Sequence, residues 1–165
     1  MTNERNSLPI YSETQMFSRW WLLVIFAAAL LPTIFIYIGI SDKTPRNIFG
    51  PALIGPVLVA LLIGFSNLKT ELRPEGLSYN FFPFHLRWHF IPIEDIEKIY
   101  VRKYSPLGEY GGWGIRGFAK NRAFNVKGSM GIQLELRNGK RILFGTQKPE
   151  EWEKVIKEQF ADSLT

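Results

Sequence analysis

The sequence predicts an α+β chain: a two-helix transmembrane hairpin, then a seven-stranded β-barrel capped by a C-terminal α-helix. Three observations predict it. From Trp20 to Ile40, 18 of 21 residues are apolar, and from Asn47 to Leu68, 14 of 22. From Leu68 onward apolar and polar side chains alternate, the period of a half-buried strand. Near its end the chain carries Trp152, Val155, Ile156 and Phe160 at helical spacing, one apolar stripe that must pack on something.

No charge falls between Arg19 and Asp42 or between Arg46 and Lys69, 22 residues in each case. A membrane span needs about 20 residues at a rise of about 1.5 Å. Trp20 and Trp21 stand at the first boundary, where indoles favour the interface. The polar loop Ser41 to Arg46 joins the two segments. Pro51 suits a helix start, whereas Pro32 and Pro56 are interior and should kink or loosen their helices. A cleaved signal peptide is disfavoured, because the first run exceeds a normal apolar core and a second follows. Lys and Arg near the spans number five outside the connecting loop (Arg5, Arg19, Lys69, Arg73, Arg87) and two within it (Lys43, Arg46). The positive-inside rule then places both termini in the cytoplasm and the protein in the inner membrane. Ala60 and Gly64 form one small-residue step that admits a homo-oligomer. The expected organisation is a cytoplasmic tail at 1–18, a two-span hairpin at 19–68 and a barrel domain at 69–165, whose 97 residues (165 less 68) suffice for one small core.

Expected strands run over Leu68 to Arg73, Leu77 to Phe81, Leu86 to Phe90, Ile99 to Tyr104, Ala123 to Lys127, Ile132 to Arg137 and Lys140 to Phe144. Arg73-Pro74-Glu75-Gly76 is a turn, and Asn138-Gly139 is a hairpin signal because these residues accept positive φ. Residues 105–122 read as a long glycine-rich loop. Pro149 opens the helix at its favoured first position, with Glu150, Glu151 and Glu153 near the positive end of the dipole.

Three segments, Ile91-Pro92-Ile93-Glu94-Asp95-Ile96, Tyr104 to Arg116 and Gly145-Thr146-Gln147-Lys148-Pro149, resemble those of bacterial PH-like (pleckstrin-homology-like) domain proteins with a two-helix membrane anchor. The resemblance spans nearly all of the chain beyond residue 18. It implies a PH-like barrel attached to a membrane. It carries no catalytic residues, since that family has no assigned activity.

The chemistry in the sequence is sparse. There is no cysteine, hence no disulfide, thiol nucleophile or Cys-type zinc site. Gly112-Trp113-Gly114-Ile115-Arg116-Gly117 matches G-x-G-x-x-G, but no crossover helix follows, so no cofactor is expected. His85 and His89 on an extended strand would lie roughly 13 Å apart, too far to share a metal. Glu94, Asp95 and Glu97 flank a turn without a nucleophile, and an enzyme is not expected. Charge is more informative. Lys98 to Lys148 holds eleven Lys or Arg against two acids, while Pro149 to Thr165 holds five acids against two lysines. Arg116, Lys120 and Arg122 alternate with Tyr110, Trp113 and Phe118, a pattern suited to an anionic lipid surface or a protein partner at the membrane. The candidate binding residues are therefore Tyr110, Trp113, Arg116, Lys120 and Arg122. The partners expected are the lipid bilayer itself, anionic headgroups or a membrane protein. Single-stranded nucleic acid suits the same pattern, and the tether at a membrane argues against it. An assembly subunit without a ligand is the alternative.

Overall fold

The computed structural model describes residues 7–17, 20–39 and 49–160. It divides into two compact units, one of residues 16–66 and one of residues 1–15 with 67–165.

In the first unit the two apolar segments form α1 (Trp20–Gly39) and α2 (Phe49–Phe65), which pack together. Pro32 sits inside α1 and Ala60 is buried. The 17 residues of α2 rise about 25 Å, less than a hydrocarbon core of about 30 Å. Among the described residues no helix is long and apolar enough to cross a membrane. The expected transmembrane hairpin is thus not supported, and neither is the integral inner-membrane localisation with cytoplasmic termini that rested on it. The connecting loop Ser41 to Arg46 lies outside the described residues.

Among the described residues the second unit holds nine strands in two sheets, where seven strands in a closed barrel were expected. The first sheet has the order β1 (Tyr11–Met16), β2 (Asn67–Arg73), β3 (Gly76–Phe82), β4 (His89–Pro92). The second has the order β5 (Ile96–Lys103), β8 (Met130–Leu136), β9 (Arg141–Gly145), β7 (Asn121–Asn125), β6 (Gly114–Phe118). A 3-10 turn at Ile93–Asp95 separates them. A barrel fails to close because β5 pairs with β8, which displaces β7 to the far side of β9, where it runs parallel. The sheets are open-ended, and β6 is an edge.

The period-2 pattern works best in β2 and β3. Leu68, Thr70 and Leu72 face Phe81, Tyr79 and Leu77 across the pair, and all six are buried. The Tyr79 ring meets Phe124 at 5.0 Å and Phe144 at 4.8 Å, joining the two sheets. The β8–β9 turn forms at the Asn-Gly pair with Gly139 at φ 76°. Helix α4 (Pro149–Phe160) packs on β5 and β8 and buries Trp152, Ile156 and Phe160, with Val155 half-buried.

The N-terminal tail also differs from expectation, because it contains β1. Its inward residues are polar. Glu13 is buried and accepts hydrogen bonds from Trp152 Nε1 at 2.7 Å, Thr146 Oγ1 at 2.7 Å and the Gln147 amide at 2.8 Å. Tyr11 meets the Trp152 ring edge-on at 4.8 Å and donates to Glu151 at 2.8 Å.

Trp152 is fully buried, so Trp152→Ala should destabilise the chain by about 3–5 kcal/mol. Denaturant titration checks this, and a loss under about 1 kcal/mol would show that the helix is not held there.

Candidate functional site

The segment that reads as a loop is ordered by a short helix and a hairpin. Helix α3 (Pro106–Tyr110) is capped by Ser105, whose hydroxyl accepts from the Gly108 amide at 3.1 Å. Glu109 returns the bond by accepting from the Ser105 amide at 2.8 Å. The same carboxylate pairs with Arg102 at 2.7 Å, and that hydrogen bond holds the Glu109 carboxyl below its ordinary range. Gly111 ends the helix in the left-handed region at φ 70°. The chain then enters β6, turns at Ala119 and returns as β7. The G-x-G-x-x-G residues therefore lead into a strand. A side chain at Gly117 would meet the Asn121 carbonyl at 2.0 Å, so the pair itself requires glycine there.

Buried Asn125 fastens the start of the hairpin. Its side chain accepts from the Gly114 amide at 2.9 Å and donates to the Tyr104 hydroxyl at 3.0 Å. Beneath lies an apolar cluster of Tyr104, Tyr110, Ala123 and Leu143.

The five residues singled out by the sequence are not brought to one face. Tyr110 is buried in that cluster and donates to Asn121 at 3.2 Å, so it is a core residue of the hairpin base. Trp113 is half-buried, and its indole donates to the Gly128 carbonyl at 3.2 Å. Arg116, Lys120 and Arg122 are exposed. Arg116 pairs across the strands with Ala123, and Arg122 with Gly117. Since faces alternate along a strand, Arg116 and Arg122 point to opposite faces while Lys120 stands at the turn. The cations surround the tip of the hairpin. At that tip Phe118 is 90% exposed, and Ile115 nearby is 39% exposed. Phe118, named in the basic and aromatic pattern but not among the candidate residues, thus stands exposed at the tip. Alternation along a segment read as loop would have exposed it.

A second cluster lies on the Arg122 side. The chain reverses after β3, and the Asn80 amide holds that reversal by donating to the carbonyls of His85 at 2.8 Å and Arg87 at 3.1 Å. The rings of His85 and His89 come to 4.4 Å, not the roughly 13 Å of an extended strand, because the residues between them form a turn. Both rings touch Tyr79, at 5.7 and 5.2 Å. Burial first, then the neighbouring His89 and Arg122, push the His85 imidazole below its ordinary value of 6.5. Among the described residues no group of three or more His, Cys, Asp or Glu could hold a metal ion.

Beside this cluster is an open cleft of about 230 Å³, lined among others by Lys69, Asn80, Phe82, His85 and Trp88.

A depressed His85 value means that the unfolded chain takes up this proton more readily than the folded one. The contribution to stability is complete above about pH 6.5 and is lost as pH falls through the lowered folded value. Thermal melts between pH 7.5 and 5 should therefore show a smaller acid loss in His85→Gln than in the wild type. An equal loss in both would contradict the enclosed neutral imidazole.

No protein-family model and no curated protein matches the chain, and neither comparison bears on the resemblance to bacterial PH-like proteins.

Proposed function

We propose that the chain is a binding module without catalytic activity, and that its β6–β7 hairpin engages an anionic lipid surface tip-first. The exposed tip carries this reading. Phe118 projects with Arg116, Lys120 and Arg122 around it, and none of the ion pairs among the described residues involves these cations. An aromatic residue enters the headgroup region while cations near the surface contribute about 1 kcal/mol each. This arrangement serves peripheral contact and does not depend on spanning helices. Arg116 and Arg122 on opposite strand faces are unfavourable for gripping one compact ligand. For a wedge entering a layer of headgroups they are well placed.

The chain has no cysteine, so Ala119→Cys gives a single site for an environment-sensitive dye at the tip. In the full chain the dye should shift to the blue on vesicles containing anionic phospholipid, less so on neutral vesicles, and the shift should reverse with salt. Combined Arg116→Glu, Lys120→Glu and Arg122→Glu should weaken the response at least about 100-fold, since three contributions of about 1 kcal/mol are removed. Melting should change little, because exposed substitutions seldom exceed about 0.5 kcal/mol. A response equal on neutral and anionic vesicles would refute the reading and favour a protein partner at the β6 edge.

A second reading, an assembly subunit, is favoured by a different observation. Leu31, Phe35 and Ile38 on α1 and Ile54 and Leu58 on α2 are exposed, Phe35 by 80%. Apolar surface of this extent marks an interaction site. The full chain in mild detergent should then sediment or cross-link as an oligomer. A strictly monomeric chain at all concentrations would remove self-assembly from this reading.

A further inference from the structure

The cleft beside His85 has a composition that selects a ligand. Among the described residues no carboxylate lines it. Lys69 is exposed, and none of the ion pairs among the described residues involves it. After burial, the groups that shift His85 are His89 and Arg122, with no acid among them. Lys69 on the cleft and Arg122 on the His85 side therefore contribute charge of one sign.

His85 also supplies a defined donor. Its Nδ1 is sealed from solvent and has no hydrogen-bond partner. Burying an N–H there without an acceptor is costly, so the proton of the neutral ring belongs on Nε2. The imidazole then offers one N–H without needing to be charged. The remaining walls include the apolar or aromatic side chains of Phe82, Leu86 and Trp88. The volume of about 230 Å³ exceeds the roughly 150 Å³ of a cavity that accepts benzene.

We infer that this cleft binds a small organic anion, a carboxylate or phosphate monoester on a planar apolar body of about one ring, with Lys69 and His85 receiving the oxyanion and Phe82 and Trp88 receiving the ring. The site rests on β2, β3 and the turn after β3, and of the three hairpin cations it is Arg122 that acts on His85. It is fixed in place because Asn80 ties the turn to β3 through two carbonyls. Tyr79 supports the imidazole pair from beneath.

The test titrates the full chain with phenyl phosphate, benzoate, benzyl alcohol and inorganic phosphate, followed by calorimetry and by the Trp88 indole N–H in NMR spectra. Phenyl phosphate or benzoate should bind at least about 10-fold more tightly than benzyl alcohol or inorganic phosphate. Lys69→Gln should weaken the organic anion at least about 10-fold, the loss expected of a hydrogen bond to a charged group. His85→Ala should weaken it and His85→Gln, which restores an N–H donor, should recover part of the loss. Because Lys69 is exposed and in no ion pair among the described residues, Lys69→Gln should leave the melting temperature unchanged, which separates loss of binding from loss of fold. Charge reversal at Arg116 and Lys120 should leave binding intact and so distinguishes this site from the hairpin. Equal affinity for benzyl alcohol, equal affinity for inorganic phosphate, indifference to Lys69→Gln, or no binding of any probe at about 10 mM would each overturn the inference.

Discussion

A buried carboxylate holds the nine-stranded unit together. Glu13 is brought in by β1, a strand more than 130 residues away in sequence from its partners. It receives an indole N–H, a hydroxyl and a backbone amide, all from the end of β9 and the first turn of α4. The Trp152 indole and the Thr146 hydroxyl are buried, and without the carboxylate each would lose its partner at a cost of about 1–3 kcal/mol. The dependence runs the other way as well, since a buried charge is tolerable only when its acceptor positions are filled. Gln15, two residues on and on the same face, adds a bond to the Gly145 carbonyl. The N-terminal strand is thus part of the core.

This clasp fixes where α4 sits, and α4 with Tyr79 fixes how the two sheets meet. Trp152 fills the space under β1, while Tyr79 packs against the stacked Phe124 and Phe144. Both candidate sites grow out of that junction. Arg122 lies two residues before Phe124 on the same strand face, which puts its charge beside His85. The cleft opens where β2 and β3 run out and the chain turns. Neither site sits on a structureless segment, because Asn125 fastens one and Asn80 the other.

The parts legible in the sequence were those whose burial is apolar and local. β2, β3, β8, β9 and α4 announce themselves through alternation, an Asn-Gly turn and a helical stripe. β1 was illegible because its buried face carries Glu13 and Gln15, so that hydropathy inverts and the strand reads as a tail. β6 was illegible because two glycines, Gly114 and Gly117, and an exposed Phe118 mimic a loop. The parallel pairing of β7 with β9 depends on a long-range choice, β5 taking β8, that no local pattern encodes. For the histidines, a count of residues assumed an extended chain, and the turn between them reduced the separation to ring contact. Of the site residues, the exposed cations were legible as a charge pattern, and the inward turn of Tyr110 was not. The two apolar helices formed where the composition placed them, but composition over 22 residues overstated α2, which is 17 residues long.

The placement of charge explains how binding surfaces coexist with a stable core. Arg73 and Arg141 are paired with Glu71 and Glu135 in the sheets, Arg102 with Glu109 of α3, and Lys148, Lys154 and Lys157 with acids of α4. These pairs draw on the acids of the basic region and the helix. Among the described residues Arg116, Lys120, Arg122 and Lys69 then take part in no ion pair. Left in water, an unpaired exposed cation has almost no effect on the fold, and it also loses nothing from salt bridges that an incoming anion would have to break. His85 sharpens the same logic. Burial first, and then His89 and Arg122, disfavour its protonated form in the folded chain, while Lys69 and Arg122 stand exposed where an anion can reach them.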